Sequence, residues 1–256
     1  MRYVGVVMTQ TVKEFLDRPD IKEIRERHTM GKVMSEDFFR DPFRSVYLDQ
    51  DLFYAPADGF VLYVKEKVKP DDFLDIKGKD FSLKEMLADK DYKDESLVIG
   101  IFMSYLDVHV NRVPTSCHYL KVRETNQIVT RGYSMLAVEN DLIDHAKYDV
   151  NDTEYLTRNE KQVSVFYSPT IDGRFYVTQV ADKQVNVIIN WRHGHFFVQG
   201  DRFGQIRGGS QCDLVLPIKK GLKYEPLVEP LQHVEAGIDP VLRVTKAKKD
   251  GSKMDA

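Results

Sequence analysis

Apolar positions are spaced in two ways along this chain, and the change of spacing divides it. Val12, Phe15 and Leu16, then Ile21 and Ile24, recur at helical intervals among Lys, Glu and Arg, so the first forty residues read as helix interrupted at Pro19. The apolar stripe is expected to pack on its own domain, with a membrane-contacting amphipathic helix as the alternative. Arg40-Asp41-Pro42 then drives the backbone out of helix, because a proline disfavours helical geometry in the residue before it. From Tyr54 onward the period becomes two: 60–68, 163–167 and 175–180 alternate apolar and polar side chains as half-buried strands do. Turn signals separate them at Ala57-Asp58-Gly59, Ile76-Lys77-Gly78 and Ile171-Asp172-Gly173. A short helix is expected over 82–88, with Ser82 as its N-cap and Glu85 closing a capping box, and another over 141–148.

The last third is strand-rich and contains an echo. Phe197-x-x-Gly200 followed by Phe203 resembles Val234-x-x-Gly237 followed by Val241. The tail, 246–256, is charged and rich in small residues, which predicts disorder. Together the elements predict an α+β fold, predominantly antiparallel β of sandwich or barrel type, with N-terminal helices and one domain over 1–245.

Composition narrows the function. At 256 residues, 42% hydrophobic and 30% charged, the chain can build a substantial core. A net charge of −3 supplies no basic field for nucleic acid. The two cysteines, Cys117 and Cys212, form neither a disulfide framework nor a zinc ribbon and suit a reducing compartment, hence a cytoplasmic location. His193-Gly194-His195 has no third ligand at supporting spacing, so no metal site is expected. No apolar run approaches the ~18 residues of a membrane-spanning helix.

The chemistry concentrates in one segment. Gly208 and Gly209 directly precede Ser210 inside an otherwise strand-like stretch, where glycine is costly unless a bulge or a close approach requires it. Taken alone, this is a β-bulge with a surface serine; it is not a hydrolase elbow, since Cys212 stands where glycine would be needed.

The surrounding residues change that reading. Arg202-Phe203-Gly204-x-Ile206-Arg207-x-Gly209-Ser210-x-x-Asp213-x-x-Leu216-Pro217 resembles the self-processing site of phosphatidylserine decarboxylases. Three further blocks resemble the same family in the same order: Phe38-Phe39-Arg40-Asp41-Pro42 with Arg44, Ala55-Pro56-Ala57-Asp58-Gly59, and Asp107-Val108-His109-Val110-Asn111-Arg112-x-Pro114. Asp-Val-His-Val-Asn-Arg is typical of the short bacterial and archaeal branch; many other relatives carry a second His at the place of Arg112.

The resemblance implies a triad of Asp58, His109 and Ser210. It also implies cleavage between Gly209 and Ser210 into a β subunit (1–209) and an α subunit (210–256), with Ser210 converted into a covalent pyruvoyl cofactor. The implied reaction is decarboxylation of phosphatidylserine, or a close phosphoserine lipid, to phosphatidylethanolamine through a Schiff base. Asn111 and Arg112 are candidates for binding the substrate, Asn111 because it shares a strand face with His109. The implied partners are a phospholipid, a membrane surface touched peripherally and a second copy of the processed pair. Two alternatives stand beside this: a pyruvoyl decarboxylase of a soluble amino acid, and a lipid-binding scaffold that never cuts itself.

Overall fold

The strands predicted from alternation are present and join into one large antiparallel sheet. The computed structural model describes residues 9–27, 30–125, 132–183, 188–191 and 195–247. Nine strands line up in the order Gln10–Thr11, Gln232–Val234, Gly59–Val68, Ser96–Met103, Ser210–Pro217, Gly173–Ala181, Lys161–Ser168, Cys117–Thr125 and Phe196–Phe197. Two three-stranded sheets and a hairpin, Phe73–Ile76 with Lys79–Ser82, complete the β structure. The class is α+β with mostly antiparallel strands, as expected.

Both faces of the large sheet are buried, so the molecule is layered. One face packs against the helices: Val12, Phe15, Ile21, Ile24, Val138 and Leu142 meet Phe60, Phe102, Val163 and Val180. The other face packs against the small sheets, where Ile101, Met103, Ala181 and Cys212 meet Phe53, Ile188, Phe203, Ile206 and Leu242. The N-terminal helices, Val12–Leu16 and Pro19–Glu26, therefore spend their apolar stripe on their own domain. Pro19 opens the second helix at its first turn, where the missing N–H costs nothing. The Ser82–Glu85 capping box is formed as read. The helix expected over 141–148 starts earlier, running Leu136–His145, and stops at Ala146 in left-handed geometry. Of the expected tail, Lys246 ends the strand Pro240–Lys246 and Ala247 donates its N–H to Gly221 O; the rest lies outside the described residues.

The echo between Gly200 and Gly237 is structural. Both have positive φ, +83° and +72°, and a methyl on Gly237 would stand 3.3 Å from the Gly200 Cα. Gly200 N–H donates to Val113 O and Gly237 N–H to Ala55 O, at 3.0 and 2.9 Å. The two Pro-containing segments so gripped also cross each other: Tyr54 N–H reaches Pro114 O at 2.8 Å and Arg112 N–H reaches Pro56 O at 2.9 Å. Two residues after Pro56 stands Asp58, and two residues before Arg112 the strand Val110–Arg112 begins, next to His109. Two similar crossings thus set both carboxylate and imidazole segments.

Candidate active site

Ser210 is the first residue of the strand Ser210–Pro217, paired with Met103 on one side and Ala181 on the other, and it is fully buried. A surface bulge is therefore excluded. Before it the chain bends at 207–209, with Gly208 at φ +145°, a geometry that L side chains rarely adopt. The Gly209 carbonyl accepts the Asp182 N–H at 2.7 Å. A donor aimed at this oxygen polarises the carbon bonded to the Ser210 nitrogen and would stabilise negative charge developing there. The Ser210 hydroxyl itself donates to Met103 Sδ at 3.4 Å.

His109 is wholly buried between the Ser96–Met103 and Val110–Arg112 strands, its ring stacked on Phe38 at 3.8 Å. Nδ1 lies 3.0 Å from Asp107 O, and because a carbonyl only accepts, that nitrogen carries the proton. Nε2 is left with its lone pair, buried and without a hydrogen-bond partner. Burial pushes the imidazole down to about 4, so at neutral pH the ring is uncharged and able to take a proton. The Ile206 N–H, four residues before Ser210, donates to His109 O at 3.1 Å and ties the two segments together.

Asp58 lies at the end of the Pro56-Ala57 segment, and its carboxylate is gripped by Arg44 at 2.5 and 2.6 Å and by the Ala236 N–H at 2.8 Å. It lines a cavity of about 540 Å³ together with Arg44, Asp107, Val108 and His233. No hydrogen bond joins Asp58 to His109, or His109 to Ser210; the carbonyl of Asp107 holds the ring where the sequence implied Asp58. Asn111 is placed near Ser210: its Nδ2 lies 3.7 Å from the same Met103 sulfur, and its Oδ1 accepts from Gln179 Nε2 at 2.8 Å. Arg112 is committed elsewhere, donating to Gly200 O and to Asp41, both at 2.9 Å, where it pins the 41–44 segment over the site.

Several groups around the site were not singled out in the sequence, Asp213 appearing only as a member of the block around Ser210. Asp182 and Gln179 lie on the neighbouring strand Gly173–Ala181 or just after it, and Met103 ends Ser96–Met103. On the opposite face of the Ser210 strand, Gln211 and Asp213 join Tyr63 and Tyr155 in a closed polar network, for which Gly100 leaves room. Burial pushes the Asp213 carboxyl up to about 7. His193 and Gly194 lie outside the described residues; among the described residues no cluster of His, Cys, Asp and Glu is arranged to hold a metal ion. Nor is any described helix long and apolar enough to cross a membrane.

Comparison with known proteins identifies the family. A family profile described as phosphatidylserine decarboxylase matches residues 35–241. A protein of Methanothermobacter thermautotrophicus named "Putative archaetidylserine decarboxylase proenzyme" is 34% identical over 215 residues, covering 83% of this chain and 81% of the relative. The phosphatidylserine decarboxylase proenzyme of Ehrlichia chaffeensis is 31% identical, covering 71% of this chain and 64% of its own, and that of Symbiobacterium thermophilum is 30% identical, covering 78% and 74%. The match makes the chain a decarboxylase, a carboxy-lyase. The chain belongs to the phosphatidylserine decarboxylase family.

Proposed function

We propose that this protein is a zymogen that cuts itself between Gly209 and Ser210 and then decarboxylates phosphatidylserine, or a close phosphoserine lipid, to phosphatidylethanolamine. The observation that carries the reading is the junction itself: a buried serine behind two residues without side chains, with the carbonyl to be attacked held by the Asp182 N–H at 2.7 Å. His109 Nε2 takes the Ser210 hydroxyl proton. The Oγ–C bond to Gly209 forms and the C–N bond breaks, leaving an ester and a free amine at 210. Loss of the Ser210 Cα proton then breaks the Cβ–Oγ bond, so the upstream chain departs with a carboxylate at Gly209. Water hydrolyses the remaining enamine, through its imine tautomer, to ammonia and a pyruvoyl group.

The surroundings of Ser210 suit such a group. His109 Nε2 and Gln179 Oε1 are buried polar atoms without partners in the uncut chain, and Asn111 lies beside the same methionine. The pyruvoyl ketone supplies an electron sink for the carbanion that loss of CO2 would leave. Asn111 is then placed to orient substrate at position 210, His109 to return a proton, and Arg112 to contribute through the 41–44 segment it holds. Asp58 completes the catalytic set; to form the triad it must exchange Arg44 for His109, and the Ser210 hydroxyl must turn from Met103 Sδ to His109 Nε2. The reading carries with it a lipid partner, peripheral contact with a membrane, a cytoplasmic location and a homodimer of processed pairs.

Intact-mass analysis tests it. Two polypeptides are expected, 1–209 and a fragment from 210 that is blocked to Edman degradation, while Ser210→Ala stays whole and inactive. Activity from a single unbroken chain would overturn the reading. Release of CO2 from phosphatidylserine vesicles, but not from free serine or phosphoserine, separates the lipid substrate from a soluble one. An uncut, inactive chain that binds lipid would point to the scaffold instead.

A further inference from the structure

Asp107 lies between two imidazoles, and the role of the second is open. Its carboxylate Oδ1 meets His233 Nε2 at 2.7 Å, and both side chains are buried. Its Oδ2 accepts the Ser104 N–H at 2.8 Å and the Ser104 hydroxyl at 2.6 Å. Its backbone carbonyl is the group that holds His109 Nδ1. Burial alone would raise this carboxyl, but His233 and the Ser104 donors hold it below its ordinary value, so it is an anion clamped from both sides. The His233 ring stacks on Phe15 at 3.7 Å and meets Phe60 edge-on at 5.1 Å. With the carboxylate fixed at three points, rotation of the Asp107 peptide, and with it of the carbonyl facing His109, is suppressed.

We propose that His233 is a positioning residue for self-cleavage: by donating to the Asp107 carboxylate it fixes the Asp107 carbonyl, which keeps the proton of His109 on Nδ1 and leaves Nε2 free as the base. The inference rests on the reading of His109 as that base. His233 lies downstream of the scissile bond and Asp107 upstream, so the clamp spans the future cut. A wrong tautomer places a proton on the nitrogen that must receive one, and no amount of packing compensates for it.

The test separates the hydrogen bond from the ring. His233→Phe keeps the stacking on Phe15 and Phe60 and loses the donor; His233→Gln gives up the ring and keeps an N–H at similar reach. Time courses of cleavage of freshly folded full chain are expected to slow about 10- to 100-fold in His233→Phe, part of the ~10²–10⁴ that a positioned base contributes. His233→Gln is expected to stay within about 3-fold of the parent, since its donor persists. In an uncut Ser210→Ala background, the ¹⁵N shifts of His109 should report Nδ1–H in the parent and in His233→Gln, and a tautomer mixture in His233→Phe. Should His233→Phe not fold, Ser104→Ala weakens the other side of the same clamp and is expected to slow cleavage roughly 3- to 10-fold. Parental rates in His233→Phe or, failing that, Ser104→Ala would overturn the proposal, as would a His233→Gln chain as slow as His233→Phe. A His109→Ala chain that cleaves normally would instead remove the underlying reading, whatever residue 233 does.

Discussion

Asp58 shows how much a single buried charge depends on what faces it. Arg44 meets both of its oxygens, and both side chains are almost wholly buried. Removing the guanidinium by Arg44→Ala strands the carboxylate, which costs roughly 3–5 kcal/mol for a buried pair; urea unfolding in the Ser210→Ala background should show that loss as a lowered midpoint. His109 yields a prediction of a different kind. Its imidazole is held down to about 4 from an ordinary 6.5, so the cleavage rate should be level through neutral pH and fall only as pH approaches about 4; a limb near 6.5 in cleavage time courses would contradict this. Stability follows the same sign: the unfolded chain protonates first, so this residue's contribution is complete above 6.5 and is lost as pH falls from there to about 4. Asp58, His109 and Ser210 were singled out through family-like blocks that are local in the sequence. Their partners were not, since Asp107 and His233 are 126 positions apart and nothing in their spacing couples them.

At the scale of elements, alternation in 60–68, 163–167 and 175–180 found the strands Gly59–Val68, Lys161–Ser168 and Gly173–Ala181 because each faces a core on at least one side. The fully buried strands Ser96–Met103 and Ser210–Pro217 carry no such period, and the second was read from its strand-like apolar stretch, with the glycines marking a break before it. Ala57-Asp58-Gly59 read as an ordinary turn; the structure gives it a stricter reason. Gly59 has φ +146°, and a Cβ there would fall 2.0 Å from the Phe102 carbonyl oxygen. Gly59→Ala must therefore separate the Gly59–Val68 and Ser96–Met103 strands at the site end, with a loss of at least about 3 kcal/mol. Thermal unfolding or yield of soluble protein will register it, and a Gly59→Ala chain as stable as the parent would disprove the contact.

The layering of the whole molecule, helices on one face of the large sheet and small sheets on the other, was not legible, because periodicity tells which residues are inside but not which layer covers them. It has a consequence for the cut. The strand Ser210–Pro217 is paired along its length with both Ser96–Met103 and Gly173–Ala181, and the later strands Gln232–Val234 and Pro240–Lys246 pair with Gly59–Val68 and Leu52–Tyr54. Severing the bond before Ser210 removes none of these ladders. The two pieces are expected to elute as one species on gel filtration and to part only in denaturant; separate peaks in native buffer would refute it. Because the proposed break falls where a ladder begins, the cut protein would keep the architecture while losing the tether that assembled it. Refolding from denaturant would then change from first to second order, slowing with dilution, whereas the uncut chain would refold at a rate independent of its concentration.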